Sequence, residues 1–120
     1  MIARLMAILF LSREVAHREH LNTKSYAQHM ALGSFYDDII DNADAIAEAY
    51  QGRHGLIGKI PMLTEADADS DIADVLEKHL GMIEKLRYTA VEKTDTAIQN
   101  LIDTAVETYL STLYKLRNLS

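Results

Sequence analysis

The chain has 120 residues, of which 48% are hydrophobic and 25% charged, the size and composition of one globular domain. It has no cysteine, which excludes disulfides, iron–sulfur clusters and Cys-based zinc sites. Lysine and arginine number 12 against 18 acidic residues, so the net charge is −6 and direct binding of duplex DNA is not expected. One proline and five glycines are too few for the many turns of an all-β fold.

The apolar run at residues 5–11 follows a single arginine, Arg4, as in a secretory signal. It is shorter than the apolar core of a signal, and Ser12-Arg13-Glu14 follows it directly in place of a small-residue cleavage site. No segment approaches the ~18 apolar residues of a membrane span. The sequence therefore predicts a cytoplasmic protein without a membrane segment.

Apolar residues that recur at the helical period predict four helices. Helix A covers about residues 1–20, helix B about 24–51, helix C about 65–92 and helix D about 95–118, with a loop at about 52–64. One longer loop and otherwise short connections predict an all-α fold, a single antiparallel four-helix bundle.

Local signals set the predicted helix ends. Asn22 or Thr23 is expected to cap helix B, and Gly52 to stop it. Thr64, within a capping-box pattern, or Ser70 is expected to open helix C.

Five histidines and an excess of carboxylates favour metal binding through imidazole nitrogen and carboxylate oxygen. No nucleophile motif or phosphate-binding glycine motif occurs, so hydrolase and nucleotide-binding functions are not favoured. On helix B, Asp37, Asp44 and Glu48 lie on one side at the 3.6-residue period, beside the apolar stripe. Such a face is either exposed to solvent, as charged residues usually are, or a subunit interface that holds metal.

His17, then His29, then the segment Asp44-Ala45-Ile46-Ala47-Glu48 resemble the ferroxidase-site pattern of the Dps mini-ferritins, ferritin-like proteins of DNA protection during starvation. This resemblance implies a ferritin-like fold and a metal site at a two-fold interface between subunits. His17 and His29 of one subunit would act there with Asp44 and Glu48 of its mate. It implies that Fe(II) is oxidised by peroxide or oxygen and stored in a closed homo-oligomeric shell, a dodecamer. Two nitrogen and two oxygen ligands also suit Zn(II).

The chain departs from the Dps pattern near the proposed ligands. Gly33 stands where that family often has a further acid, and Asp37, one turn on, is the candidate replacement. Helix A begins almost at Met1, so the basic DNA-binding tail of that family is not expected. The alternative to a ferroxidase is a ferritin-like bundle without the chemistry, acting as an interaction or regulatory module.

Overall fold

The computed structural model describes residues 1–120 and is entirely helical apart from turns and loops. Four helices form: α1 (Ile2–Asn22), α2 (Tyr26–His54), α3 (Ile72–Ala90) and α4 (Thr96–Asn118). They pack against one another in a bundle of 44 × 24 × 21 Å. The prediction of an all-α four-helix bundle is confirmed. None of the helices is both long and apolar enough to cross a membrane.

The contacts between helix ends give the directions of the helices. α1 and α2 are joined by a short turn and run antiparallel. α2 and α4 are also antiparallel, because Arg53 near the end of α2 pairs with Asp95, which caps the start of α4. Arg87 near the end of α3 bonds Gln99 near the start of α4, so this pair is antiparallel too. It follows that α1 and α3, which pack together, run antiparallel.

The segment 55–71 is a crossover connection along the bundle. α2 and α3 run in the same direction and are not in contact, so they occupy diagonal corners. The chain must therefore return along the length of the bundle between them. Ile57, Ile60 and Leu63 of this segment pack against the core. A single long crossover is the connectivity of ferritin-like bundles.

The four helices share one hydrophobic core. The rings of Phe35 in α2 and Tyr109 in α4 meet edge to face at its centre, with centroids 5.1 Å apart. Burying an apolar side chain of this size contributes about 1.5–3 kcal/mol. Towards the end of α4, Leu110 and Tyr114 lie outside this core, because both are more than half exposed. The largest fully buried side chains are Tyr109, Phe35, Leu5, Met6, Ile8, Leu9, Leu32, Ile39, Ile46, Leu76, Ile83 and Ile98.

A buried polar pair holds the turn between α3 and α4. Arg87 donates from Nε to the Gln99 side-chain oxygen at 2.9 Å and pairs with Asp103 at 2.6 Å. The Gln99 amide donates in turn to the carbonyls of Arg87, Val91 and Glu92. The Gln99 side chain thereby ties the end of α3 to the start of α4.

The predicted ends of helix B are displaced by a few residues. The cap is Ser25, whose hydroxyl accepts from the Gln28 amide, and not Asn22 or Thr23. The helix continues past Gly52 and ends at Gly55, where φ is 89°. A left-handed φ of this kind is where a glycine is needed.

Helix C begins at Ile72 and not at about residue 65. Its cap is Asp71, whose carboxylate accepts from the Ala73 amide at 3.0 Å. Residues 66–69 form a turn instead of helix. The physical reason is tertiary: Glu65 is drawn into the bundle by His79, so the chain just after Thr64 cannot follow a helical path.

Candidate functional site

The predicted histidine ligands lie where α1 ends and α2 begins. His29 donates from Nδ1 to the carbonyl of His20 at 2.7 Å, and His20 donates from Nδ1 to the carbonyl of His29 at 2.6 Å. The two rings stack with centroids 3.7 Å apart. This reciprocal pair joins the two helices and leaves Nε2 of each ring without a hydrogen-bond partner in the chain.

His17 lies beside this pair, one turn before His20 on α1. Its ring is partly buried and stacks on Tyr36 of α2, with centroids 4.2 Å apart. The His17 and His20 centroids are 6.3 Å apart. His17, His20, His29 and Tyr36 thus form one aromatic cluster, which we call the histidine cluster. His17 and His29 were predicted from their spacing, whereas the part played by His20 depends on its tertiary contacts.

Gly33, the position where the resemblance expects a further acid, is packed against the histidine cluster. A Cβ at this position would lie 3.0 Å from Cε1 and 3.3 Å from Nδ1 of His20. The His20 ring is held by its stack on His29 and by its hydrogen bond, so it cannot easily move aside. The space that a side chain at position 33 needs is therefore occupied by an imidazole.

The predicted acidic ligands Asp37, Asp44 and Glu48 are exposed on α2. None of them forms an ion pair, and neither do Asp38 and Asp41, exposed on the same helix. We call these five residues the acidic strip.

Within one chain, no three His, Asp or Glu side chains converge on a point where a metal ion could bind. The structure therefore links His17 and His29 through His20 and Tyr36, but it does not join them to the predicted acids. A site made from both sets needs a second chain.

A second group of polar side chains, which the sequence analysis did not predict, lies inside the bundle. The Tyr109 hydroxyl donates to Oγ of Ser12 at 2.6 Å, and Ser12 lies 2.7 Å from Nδ1 of His79. Nε2 of His79 donates to Glu65 at 2.5 Å, and Lys78 pairs with the other Glu65 oxygen at 2.6 Å. We call this hydrogen-bonded chain the core network. It joins α4, α1, α3 and the crossover.

The protonation states in the core network follow from burial and hydrogen bonding. Burial lowers the pKa of His79, more than its bond to Glu65 raises it, so the ring is neutral at pH 7. Burial raises the pKa of Glu65, but hydrogen bonds from Lys78, the Asp67 amide and His79 outweigh burial and lower this pKa to about 2. A carboxylate only accepts, so Nε2 of His79 carries the proton and Nδ1 accepts from Ser12.

The order Ser12, His79, Glu65 is that of a serine hydrolase triad, but its placement excludes that chemistry. Ser12 is fully buried, and its hydroxyl is covered by the equally buried Tyr109. No substrate carbonyl can reach it. The sequence gives one sign of the core network, because Ser12 and His79 are polar residues on the apolar stripes of their helices. Nothing in the sequence pointed to Glu65, which lies in the crossover.

A family model matches residues 20–116, from the end of α1 almost to the end of α4. The chain belongs to the family of unknown function DUF5856. Comparisons with curated proteins and with solved structures gave no match. The DUF5856 match includes His20, His29 and the acidic strip but begins after His17. The description of the DUF5856 family states no activity, so a function has to be argued from the geometry.

Proposed function

We propose that this DUF5856 protein binds Fe(II) between two copies of the chain and oxidises it, in the manner of the Dps mini-ferritins. The observation that carries the proposal is the hydrogen bond from Nδ1 of His29 to the carbonyl of His20. Metal-ligating histidines usually hold one ring nitrogen on such an acceptor and ligate through the other. Nε2 of His29 is thereby left for a metal, and His17 in the same cluster is the second imidazole.

The acidic strip supplies the oxygen ligands of the proposed site. Asp44 and Glu48 are the first candidates, with Asp37 as the replacement for the acid that Gly33 lacks. Five exposed carboxylates without cationic partners on one helix repel one another, so a bound cation is stabilised there. A two-fold axis lays the same surface of each chain against the other, which would bring each strip to the partner's histidines.

The proposed ligands set the chemistry. Nitrogen and oxygen donors with open positions suit Fe(II), and also Zn(II), which does not change its oxidation state. As substrate, each Fe(II) gives up one electron. Two such ions reduce one hydrogen peroxide, whose O–O bond breaks to give two hydroxide ions. The Fe(III) product would collect within a closed homo-oligomeric shell, and the ferritin-like connectivity is compatible with that assembly.

The test removes the two proposed imidazole ligands, His17 and His29, and keeps the turn between α1 and α2 intact. His29→Asn keeps a donor near the position of Nδ1 but removes Nε2, and it is combined with His17→Ala. We expect the double variant to lose fast Fe(II) oxidation by peroxide in stopped-flow absorbance, with unchanged helical content by circular dichroism. The matched control is His54→Ala, because His54 is exposed at the far end of α2 and outside the histidine cluster.

Assembly gives an independent check on the inter-chain site. The native protein should sediment as a dimer or a larger oligomer at micromolar concentration. A strictly monomeric species of 13.5 kDa would overturn the proposal. Equal oxidation rates in the native protein and the double variant would overturn it as well.

A non-catalytic interaction module is the second candidate. The contact of His20 with Gly33 favours this candidate. A Cβ at position 33 would lie 3.0 Å from Cε1 of His20, so the imidazole leaves no room for the further acidic ligand of the Dps pattern. This candidate is supported if the protein is an oligomer and Fe(II) is oxidised no faster in its presence than in buffer alone.

A further inference from the structure

α1 and the crossover, together with Ile40 of α2, line an open cavity of about 760 Å³. Its volume lies within the range of about 300–1,000 Å³ that is usual for small-molecule sites. Most of its wall is apolar, formed by side chains such as Phe10, Leu11, Ile40, Ile60 and Leu63. The wall contains none of the five predicted metal ligands, so an inference from this cavity stands apart from the proposed function.

Four charged residues line the cavity, and three of them already have partners. Glu14 and Arg18 pair with each other at 2.7 Å. Both oxygens of Glu65 face away into the core network, one to His79 and one to Lys78. Arg13 is the remaining charge and forms no ion pair.

The guanidinium of Arg13 also lacks a hydrogen-bond acceptor. Its Nε is buried, and it is the one buried side-chain nitrogen or oxygen in the chain without a partner. A buried N–H without an acceptor is unfavourable, so buried donors nearly always have one. The planar guanidinium matches a carboxylate, which accepts two of its N–H groups at once.

We propose that this cavity binds a small amphiphile with one carboxylate head and an apolar body, such as a medium-chain fatty acid. The carboxylate accepts from the terminal N–H groups of Arg13, the one charge on the cavity wall without an ion-pair partner. The apolar body lies against Phe10 of α1 and Ile60 of the crossover. Met62, a residue of the cavity wall, is 99% exposed, so the cavity is open to solvent and a ligand can enter without unfolding.

The experiment compares decanoate with decanol, which has the same apolar body and no charge, by titration calorimetry below their aggregation limits. The native protein should bind decanoate at least about tenfold more tightly than decanol. Arg13→Gln should weaken decanoate binding by about tenfold or more and leave decanol binding unchanged. Arg18→Gln is the matched control, because Arg18 lines the same cavity but is paired with Glu14, and it should change decanoate binding less than about threefold.

Several results would overturn this proposal. Arg13 does not bind the carboxylate if the native protein has equal affinity for decanoate and decanol. The same conclusion follows if Arg13→Gln leaves the decanoate affinity unchanged. No binding of either compound by the native protein would also reject the site. If that absence accompanies a native dimer that Ile60→Asp converts to monomers, a second copy of the chain fills the cavity. Circular dichroism of each variant establishes that it is folded.

Discussion

The His20 side chain joins α1 to α2 near the turn between them. Its ring stacks on His29, donates to the His29 carbonyl and covers Gly33. Glycine inside a helix is destabilising by roughly 0.5–1 kcal/mol relative to alanine, so its presence there needs a local reason. The reason is steric, because a Cβ at position 33 would meet the His20 ring at 3.0 Å.

A double-mutant cycle tests this contact. In the His20→Ala background, Gly33→Ala should stabilise the protein by about 0.5–1 kcal/mol, the ordinary gain in a helix. In the native background the same substitution should be neutral or destabilising, because the ring is held by its stack and hydrogen bond. Urea unfolding measures the difference as a coupling energy. An equal stabilisation in both backgrounds would mean that the ring moves aside freely.

At this scale the sequence predicted the residues that recur in a pattern and missed those joined by tertiary contact. His17 and His29 were predicted as ligands because their spacing is visible in the chain, and that assignment stays a prediction. The Ser12 and His79 hydrogen bond spans 67 residues and exists only because α1 and α3 pack together. The unpaired state of Arg13 could not be predicted either, because it depends on which neighbouring acids are already paired.

At the scale of the elements, the end of α2 shows how two glycines close in sequence differ. Gly52 lies within the last turn of the helix, and nothing lies within 4 Å of the position that its Cβ would take. Gly55 ends the helix with φ of 89°, which a side chain opposes. The stop was predicted from the sequence at Gly52, the first glycine after the apolar stripe of helix B, because the sequence does not show which glycine has a positive φ.

Alanine at each glycine separates the two roles. Gly52→Ala should leave stability unchanged or raise it by up to about 1 kcal/mol, since alanine favours helix and has room. Gly55→Ala should lower stability by about 1–3 kcal/mol, because φ of 89° with ψ of 179° is a conformation that essentially only glycine adopts. Thermal and urea unfolding of the two variants provide the comparison. A stabilising Gly55→Ala would show that the helix end can relax to a negative φ.

The helices themselves could be predicted from periodicity, but their arrangement could not. The 3.6-residue recurrence of apolar side chains located all four elements, because each helix buries one stripe. The apolar periodicity of a helix is the same whichever way the helix runs, so it does not reveal the direction of α3 relative to α2. It follows from the path of the crossover, which is fixed by contacts such as that of Glu65 with His79.

At the scale of the whole molecule, the core network is a buried polar link between the crossover and three helices. Tyr109 and Ser12 bring in α4 and α1, His79 brings in α3, and Glu65 carries the crossover. Buried polar groups of this kind are stabilising only when every member is paired. Because its charged end is a carboxylate, the stability of the fold should depend on pH in a predictable direction.

Acid should destabilise the protein in two stages. The pKa of His79 is lowered in the folded state, so its contribution is present above about pH 6.5 and declines as the pH falls below that value. The pKa of Glu65 is lowered to about 2 from 4.5, so its contribution is present above pH 4.5 and is lost as the pH falls towards 2. That second contribution is about 3 kcal/mol.

Glu65→Gln should therefore lower stability at pH 7 by about this amount and flatten the fall below pH 4.5. Urea unfolding from pH 7 to pH 2.5 measures both effects, with Glu107→Gln as the control because Glu107 is exposed and unpaired. Parallel curves for the native protein and Glu65→Gln would show that the crossover is held by its apolar contacts alone.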